Sequence, residues 1–189
     1  MQLENGWIIG VTRVVSPHCD RRPDDEPPSL LVIHNISLPP GEFGGPYIDQ
    51  LFTGTLDPAQ HPYFAEIHQL RVSAHCLIRR DGEIVQYVPF DQRAWHAGVS
   101  LYQGRDRCND FSIGIELEGT DQLPYTEAQY RALQAVTSAA GRTLSAAGGQ
   151  YRRALRYRPR PQDRSRAGVR LGSLSGISGT TRRARRRYA

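Results

Sequence analysis

The charge of this 189-residue chain changes abruptly after residue 137, and this break limits what the chain can fold into. Residues 1–137 hold 10 arginines and 18 acidic residues, a net charge of −8, whereas residues 138–189 hold 14 arginines and one acidic residue, a net charge of +13. Residues 152–170 show neither helical nor strand periodicity, and residues 182–187 are almost pure charge. We therefore predict a folded domain over residues 1–137, long enough to bury a core, and a poorly ordered arginine-rich tail over residues 138–189.

Composition points to a cytoplasmic protein. The N-terminus lacks a basic segment followed by an apolar stretch, so no secretory signal is expected. No apolar run approaches the roughly 20 residues that a membrane-spanning helix needs. The three cysteines, an odd number at wide and irregular spacing, are typical of free thiols in a reducing compartment.

Alternating signals for strands and helices predict a mixed α/β domain. Residues 29–36 form an apolar run typical of a central strand, and Asp81-Gly82 is a strong hairpin signal between two further strands. Thr126 and Gln129 form a capping box that opens a helix with a predicted buried stripe of Tyr130, Leu133 and Val136. The remaining predicted elements are helices over 47–52 and 62–70 and strands over 72–78, 83–88 and 111–117.

Two residues carry the strongest chemical signal. His34 lies near the end of the first apolar strand, where it is either a metal ligand or a histidine satisfied by hydrogen bonds. Glu116 lies within the apolar strand Ile-Gly-Ile-Glu-Leu, where burying a carboxylate is costly unless it has a partner or a function. The alternative for Glu116 is an edge strand with a solvated face.

The other histidines give weaker signals. His75 is expected to be a satisfied core histidine or to support a metal ligand, and His96, beside Trp95, could line a groove. The remaining histidines are expected at the surface: His18, His61 and His68.

Several long motifs resemble one enzyme family. They are LVIHNISLPPGEFGG at residues 31–45, VSAH at 72–75, RRDGEIVQ at 79–86, AWHAGVS at 94–100 and CNDFSIGIELEG at 108–119. They resemble the cytoplasmic 1,6-anhydro-N-acetylmuramyl-L-alanine amidases of Gram-negative bacteria (the AmpD type), and the likeness covers essentially all of residues 1–137. The resemblance implies a mixed central β-sheet flanked by helices, as in phage-type zinc amidases and peptidoglycan recognition proteins, with its C-terminal part disrupted here.

The resemblance also implies a chemistry and a substrate. It implies a Zn²⁺ cofactor with His34 as the first ligand and Glu116 as the general base. The implied reaction cleaves the lactyl–L-alanine amide of anhydromuropeptides recycled from the cell wall, which indirectly controls inducible β-lactamase. Arg71 and Arg107 are candidate substrate-binding residues, because arginine forks suit the carboxylates of the peptide stem; the alternative for each is a solvated surface arginine.

The resemblance ends where the zinc site should be completed. The family supplies a histidine, a lysine and an aspartate near the C-terminus, but the corresponding positions hold Ala154, Gln162 and Arg164. Alanine and arginine offer a metal no lone pair. When the codons that these residues permit are read in a shifted frame, they allow the family's ending His-Cys-Asp-Ile-Ala-Pro and onward through Arg-Lys-Thr-Asp-Pro-Gly. We therefore predict that the reading frame slips near Thr137, through a mutation or a sequencing error.

Three functions follow from these observations. The first is a zinc amidase whose activity in this sequence is impaired, a monomer that acts on anhydromuropeptides with no nucleic-acid or membrane partner. The second is a non-catalytic module that binds muropeptides. The third takes the basic tail as an arm for nucleic acid or an anionic surface. Zinc retention would distinguish the first two, and salt-dependent DNA binding would favour the third.

Overall fold

The computed structural model describes residues 1–146, with side chains up to residue 143, and the backbone of two later strands. The helices are α1 (Tyr47–Thr53), α2 (Pro62–Ile67) and α3 (Glu127–Ala146), and the 3₁₀ turns are Pro23–Asp25 and Cys108–Phe111. The strands are β1 (Leu3–Glu4), β2 (Trp7–Ile8), β3 (Thr12–Arg13), β4 (Cys19–Arg21), β5 (Leu30–Ile36), β6 (Cys76–Ile78), β7 (Ile84–Gln86), β8 (Gln92–Ala94), β9 (Ser100–Tyr102), β10 (Arg105–Asp106), β11 (Ser112–Glu118), β12 (Arg152–Leu155) and β13 (Val169–Arg170).

A mixed six-stranded sheet forms the centre of the fold. Its strand order is β12-β5-β11-β6-β7-β3, in which only the β6–β7 pair is antiparallel. The predicted mixed α/β architecture is thereby confirmed. Smaller pairings flank the sheet: β1 with β2, β4 with β8, and β9 with both β10 and β13.

Strand β11 lies in the middle of the sheet, between β5 and β6. All seven of its residues are buried, so the alternative of an edge strand with a solvated face is wrong. Parallel strands covered on both faces favour continuous apolar runs, which explains the composition of β5 as well. Ile113, Ile115 and Leu117, which are alternate residues of β11, enter one core cluster.

The predicted hairpin forms between β6 and β7, although both strands are shorter than expected. Ile78 pairs with Ile84, and the turn between them carries Gly82 at φ +92°. That backbone region strains any residue with a Cβ, which is why glycine follows Asp81 here.

Helix α3 opens with the predicted capping box, but its buried face differs from the predicted one. Thr126 Oγ1 accepts from Gln129 N–H at 3.1 Å, and Gln129 Oε1 accepts from Thr126 N–H at 3.1 Å. Tyr130 is 53 % exposed, so its assignment to the buried stripe is wrong. The face of the helix that packs against the sheet begins with Gln129 instead. That buried stripe consists of Gln129, Ala132, Leu133, Val136, Ala139 and Ala140.

The helix also crosses the predicted domain boundary. α3 continues through residues 138–146, where the sequence is rich in alanine, a strong helix former. The boundary at residue 137 stays a prediction, as does the lack of order in the tail, most of which lies outside the described residues.

Two apolar layers enclose the sheet. One cluster joins alternate residues of β5, β6 and β11 to the inner face of α3. A second cluster packs α1 and α2 against the opposite side. Because both sides of the sheet are covered, the side chains at the middle of β5 and β11 are shielded from bulk solvent. This burial determines the pKa values of the ionisable groups in the candidate site.

Candidate active site

His34 and Glu116 face each other across the two central strands. β5 and β11 are parallel, and the register pairs His34 directly with Glu116. Directly opposed residues of neighbouring strands project from the same face of a sheet. Both residues are buried, at 3 % and 9 % exposure. The structure therefore brings together the two residues that the sequence singled out, although they lie far apart in the chain.

Burial changes the chemistry of the Glu116 carboxyl group. Glu116 Oε2 is buried and has no hydrogen-bond partner among the residues that the structure describes. Because a buried negative charge loses its hydration, burial raises the pKa of Glu116 to about 8. A carboxyl group with a pKa near neutrality is suited to accept and return a proton.

His34 contacts a second buried histidine. His34 Nε2 lies 2.8 Å from His96 Nδ1, and the two rings meet edge to face with centroids 5.0 Å apart. His96 Nε2 lies 3.0 Å from the Ser112 hydroxyl at the start of β11. Burial, followed by the nearby His34 and His75, lowers the pKa of His96 well below its ordinary value, so His96 is neutral. His96 thus belongs to the site itself rather than to the groove wall that its sequence context indicated.

Gly114 creates the space that the His96 ring occupies. A Cβ built on Gly114 would lie 2.4 Å from His96 Cγ, closer than such atoms approach in proteins. The backbone of His96 is held as well, because Asn109 Oδ1 accepts from the amides of His96 and Ala97 at 3.1 and 2.8 Å. Gly114 is therefore required because a side chain approaches the strand closely at this position, and not because the backbone turns.

His75 is a core histidine, as predicted. Its Nδ1 accepts from the Gly114 amide at 3.0 Å, so its Nε2 carries the proton and donates to the Gln92 carbonyl at 3.0 Å. Burial lowers the pKa of His75 to about 3, which keeps it neutral. Both ring nitrogens are thus engaged by the backbone.

A buried arginine braces the same region and was missed in the sequence. Arg22 is 2 % exposed and donates to the backbone carbonyls of Phe90, Asn109, Asp110 and Ser112. Burial lowers its pKa to about 10, which still leaves it charged at neutral pH. Arg22 lies in the proline-rich opening segment with mixed charges, where nothing in the local pattern separates a buried arginine from a solvated one.

The predicted substrate-binding arginines lie at the surface. Arg71 is exposed, and the Arg107 side chain is 70 % exposed and pairs with Asp110 at 3.0 Å. Their role in binding stays a prediction.

The described residues do not complete a zinc site. Among them, no group of three or more His, Cys, Asp or Glu side chains could hold a metal. The backbone of β12 lies beside β5, with Ala154 opposite Val32, two residues before His34. Gln162 and Arg164, the other two positions, lie outside the described residues. Since alanine and arginine have no lone pair for a metal, the residues present do not fit a three-ligand zinc centre.

The three cysteines do not pair with one another. Cys19, Cys76 and Cys108 are all free thiols, as the sequence predicts. Separately, no helix in the described part of the chain combines the length and apolarity needed to cross a bilayer.

Comparison with known proteins identifies the family. The N-acetylmuramoyl-L-alanine amidase family model matches residues 24–148. The 1,6-anhydro-N-acetylmuramyl-L-alanine amidase AmpD of Escherichia coli is 78 % identical over 139 residues, which cover 74 % of this chain and 76 % of that protein. AmpD of Haemophilus influenzae is 60 % identical over 136 residues, covering 72 % and 74 %.

A solved structure agrees with this assignment. The crystal structure of a selenomethionine derivative of AmpD superposes with a TM-score of 0.76 at 72 % identity, covering 80 % of this chain and 85 % of that one. The solution structure of Citrobacter freundii AmpD gives a TM-score of 0.55 at the same identity. The chain therefore belongs to the N-acetylmuramoyl-L-alanine amidase family of enzymes, and within it to the AmpD type.

Proposed function

We propose that this chain derives from a zinc-dependent amidase that hydrolyses the amide between 1,6-anhydro-N-acetylmuramic acid and L-alanine. The register of His34 with the buried Glu116 carries this proposal. The E. coli relative bears the name of this activity at 78 % identity. We assign His34 as a metal ligand and Glu116 as the general base, with Arg71 and Arg107 binding the carboxylates of the peptide stem.

The raised pKa of Glu116 supports its assigned role. A carboxylate that takes a proton from water must later give that proton to the leaving amine, and transfer in both directions is efficient when the pKa lies near the working pH. The amine that leaves is the amino group of L-alanine. Hydrolysis of imported muropeptides in the cytoplasm would remove the signal that induces β-lactamase, so the enzyme would regulate that induction indirectly. We propose a monomer with no nucleic-acid or membrane partner.

The present sequence is, in this proposal, an impaired form of that enzyme. A slip of the reading frame near Thr137 explains the arginine excess of residues 138–189 and the loss of periodicity. It also explains why Ala154, Gln162 and Arg164 stand where two ligands and a lysine are expected. Resequencing the gene tests the slip directly, because an intact frame with no extra or missing base near codon 137 would contradict it.

Comparison of the present chain with a frame-restored chain tests the function. After dialysis against a weak chelator, we expect about one zinc per molecule in the restored chain and none in the present one, as measured by elemental analysis. Chromatography of an anhydromuropeptide reaction should show release of the stem peptide by the restored chain alone. His34→Ala in the restored chain should abolish zinc retention, while His68→Gln, at the C-terminal cap of α2, serves as the control. A restored chain that binds zinc but releases no peptide would refute the proposed reaction.

The second candidate is a module that binds muropeptides without cleaving them. It is favoured by the incomplete donor set of the described residues. Calorimetric titration of the present chain with an anhydromuropeptide, followed by chromatography of the mixture, separates the two. Binding without peptide release supports the module, and peptide release supports the amidase. The third candidate, a nucleic-acid arm, requires DNA binding that weakens steeply with salt.

A further inference from the structure

We propose that Asp110 is a positioning residue that holds the guanidinium of Arg107 ready to bind a carboxylate of the peptide stem. This role rests on the proposed function, in which Arg107 binds the substrate. Two features of Arg107 point to it. Its backbone lies at φ 60° and ψ 58°, in the left-handed region that a bulky side chain rarely adopts. Its Nε lies 3.0 Å from Asp110 Oδ2.

The surrounding loop enforces the unusual backbone of Arg107. The Arg107 amide donates to the Ser100 carbonyl at 2.9 Å, and the Arg107 carbonyl accepts from the Asp110 amide at 2.9 Å. Residues held in such conformations persist only where their neighbours enforce them, and they cluster at ligand-binding sites. The turn that these bonds close brings the side chains of Arg107 and Asp110 within ion-pair distance.

Asp110 is itself held by a second arginine. Arg93 Nη1 donates to Asp110 Oδ1 at 2.5 Å, and Arg93 Nε donates to Asp20 Oδ1 at 2.7 Å. Asp20 and Arg93 lie directly opposite each other on the antiparallel strands β4 and β8. The side chains of Arg93 and Asp110 are only 19 % and 13 % exposed. Asp110 therefore joins an arginine that is anchored to a strand pair with the solvent-facing Arg107.

The outer end of Arg107 remains available to a ligand. A guanidinium carries five N–H donors, and a carboxylate at Nε leaves the edge formed by Nη1 and Nη2 able to bind a second carboxylate with two parallel bonds. The side chain of Arg107 is 70 % exposed, so a ligand can approach it from solvent. Asp110 thus fixes one side of the guanidinium and leaves the other side for binding.

The same cluster of charges borders the candidate active site. Asp20 Oδ1 also accepts from Trp95 Nε1 at 3.1 Å, and the following residue, His96, contacts His34 at 2.8 Å. Asn109, next to Asp110 in the chain, accepts from the His96 amide at 3.1 Å. A ligand that extends from the buried histidines towards solvent would therefore pass the segment that carries Arg107.

Two effects of the Asp110 charge on a bound carboxylate oppose each other. An exposed ion pair adds little to stability, but it spares the ligand the entropy cost of ordering a free arginine, which corresponds to about 3- to 10-fold in affinity. Against this, a negative charge at Asp110 repels the carboxylate of the ligand. Arg93 offsets that repulsion, because its guanidinium is bonded to the same carboxylate. We therefore expect the ordering of Arg107 to prevail.

Nitrogen relaxation of the arginine side chains tests the holding of Arg107 without any ligand. In the full chain labelled with ¹⁵N-arginine, the Nε–H of Arg107 should be more ordered than that of Arg131, an exposed arginine on α3. Asp110→Asn should lower the order parameter of Arg107 to that of Arg131. Asp106→Asn is the matched control, since it removes the same charge from the exposed residue next to Arg107 and should leave the order unchanged.

Calorimetric titration tests the use of the held arginine. The two ligands are an anhydromuramyl tripeptide with free stem carboxylates and the same molecule with those carboxylates converted to amides. The ratio of their affinities is the carboxylate preference. Asp110→Asn should lower this preference about 3- to 10-fold without changing the affinity for the amidated ligand, whereas a general loss of structure would weaken both. Asp106→Asn should keep the preference, and Asp110→Glu should restore part of it.

The outcomes distinguish the positioning role from the proposed function. A preference that Arg107→Ala abolishes but Asp110→Asn preserves or increases would overturn the positioning role alone. So would an Arg107 side chain as mobile in the parent chain as that of Arg131. If Arg107→Ala leaves the preference unchanged, or if neither ligand binds, the assignment of Arg107 to the substrate fails and the positioning role falls with it. Peptide release by the frame-restored chain, measured separately, still decides the amidase reaction.

Discussion

At the scale of single residues, the site buries two kinds of polar group that a protein core normally excludes: a carboxyl group and a cluster of imidazoles. Glu116, His34, His75 and His96 are all buried close to the middle of the sheet. His75 and His96 are kept neutral and hydrogen-bonded, which limits the cost of burying them. Glu116 Oε2 has no such partner among the described residues. Its burial therefore has a measurable effect on stability.

Glu116→Gln should change how stability depends on pH. The folded-state pKa of Glu116 is about 8, above its ordinary value of 4.5, so the folded chain holds a proton that the unfolded chain has lost between these values. That stabilisation is complete below pH 4.5 and is lost as the pH rises through about 8. The introduced amide would stay neutral at every pH. As the pH rises from 4.5 to about 8, the free energy of unfolding of the variant should therefore increase relative to that of the parent by up to about 1.4 kcal/mol per pH unit.

Urea unfolding at several pH values between 5 and 9 measures this difference. Glu127→Gln, at an exposed glutamate on α3, is the matched control. A stability difference between Glu116→Gln and the parent that is the same at every pH would contradict the assigned burial.

Gly114→Ala and Gly141→Ala should have opposite effects on stability. At position 114 a Cβ would lie 2.4 Å from the His96 ring, and forcing the ring aside should cost about 1–3 kcal/mol. At position 141, within α3, a Cβ meets nothing within 4 Å, and alanine should stabilise the helix by about 0.5–1 kcal/mol. Denaturant midpoints of both variants check this pair; a neutral Gly114→Ala would show that His96 does not pack as described.

At the scale of elements, α3 is attached to the sheet by polar groups as well as by its apolar stripe. The Gln129 side chain, 0 % exposed, donates from Nε2 to the carbonyls of Ile78 and Glu118 at 3.2 and 2.8 Å. One residue thus completes the helix cap and joins the ends of β6 and β11. The first turn of α3 is therefore fixed in position by bonds to two neighbouring strands.

Gln129→Ala should destabilise the domain by about 2–4 kcal/mol, because two buried carbonyls lose their donor and the cap loses one of its two bonds. Gln134→Ala, at an exposed position of the same helix, should be within about 0.5 kcal/mol of the parent. The free energy of unfolding in urea measures both. Equal effects of the two substitutions would show that the polar attachment contributes nothing.

At the scale of the whole molecule, residues 1–137 are acidic and residues 138–189 are basic, and the described residues do not complete a metal site. A metal that binds only the folded state stabilises it in proportion to the logarithm of its free concentration. Metal dependence of the melting temperature therefore reports directly whether the site is complete.

We expect the melting temperature of the present chain to be unchanged by a strong chelator or by added zinc. The frame-restored chain should melt at a higher temperature with zinc and lose that gain when the metal is removed. Differential scanning fluorimetry with and without chelator makes the comparison, and magnesium in place of zinc controls for ionic effects. A zinc-dependent rise in the present chain would contradict the incomplete site.

Much of the domain was predictable because it is built from local patterns. The apolar runs of β5 and β11, the Asp81-Gly82 turn and the Thr126 capping box each depend on residues within a few positions of one another. Tyr130 shows the limit of this reasoning, since helical periodicity allows more than one apolar face and the sheet decides which is buried.

By itself, the sequence determined the main helices and central strands in their order, the mixed α/β class, the two candidate site residues of the central strands and the break in composition near residue 137. Only the tertiary structure decided that His96, 62 positions from His34, contacts it, that Ser112 and Gly114 accommodate its ring, and that Arg22 is buried beneath them. The physical reason is that strand propensity and capping act over a few residues. Contacts between distant side chains depend instead on strand register and on the space that neighbouring residues leave, which no local pattern specifies.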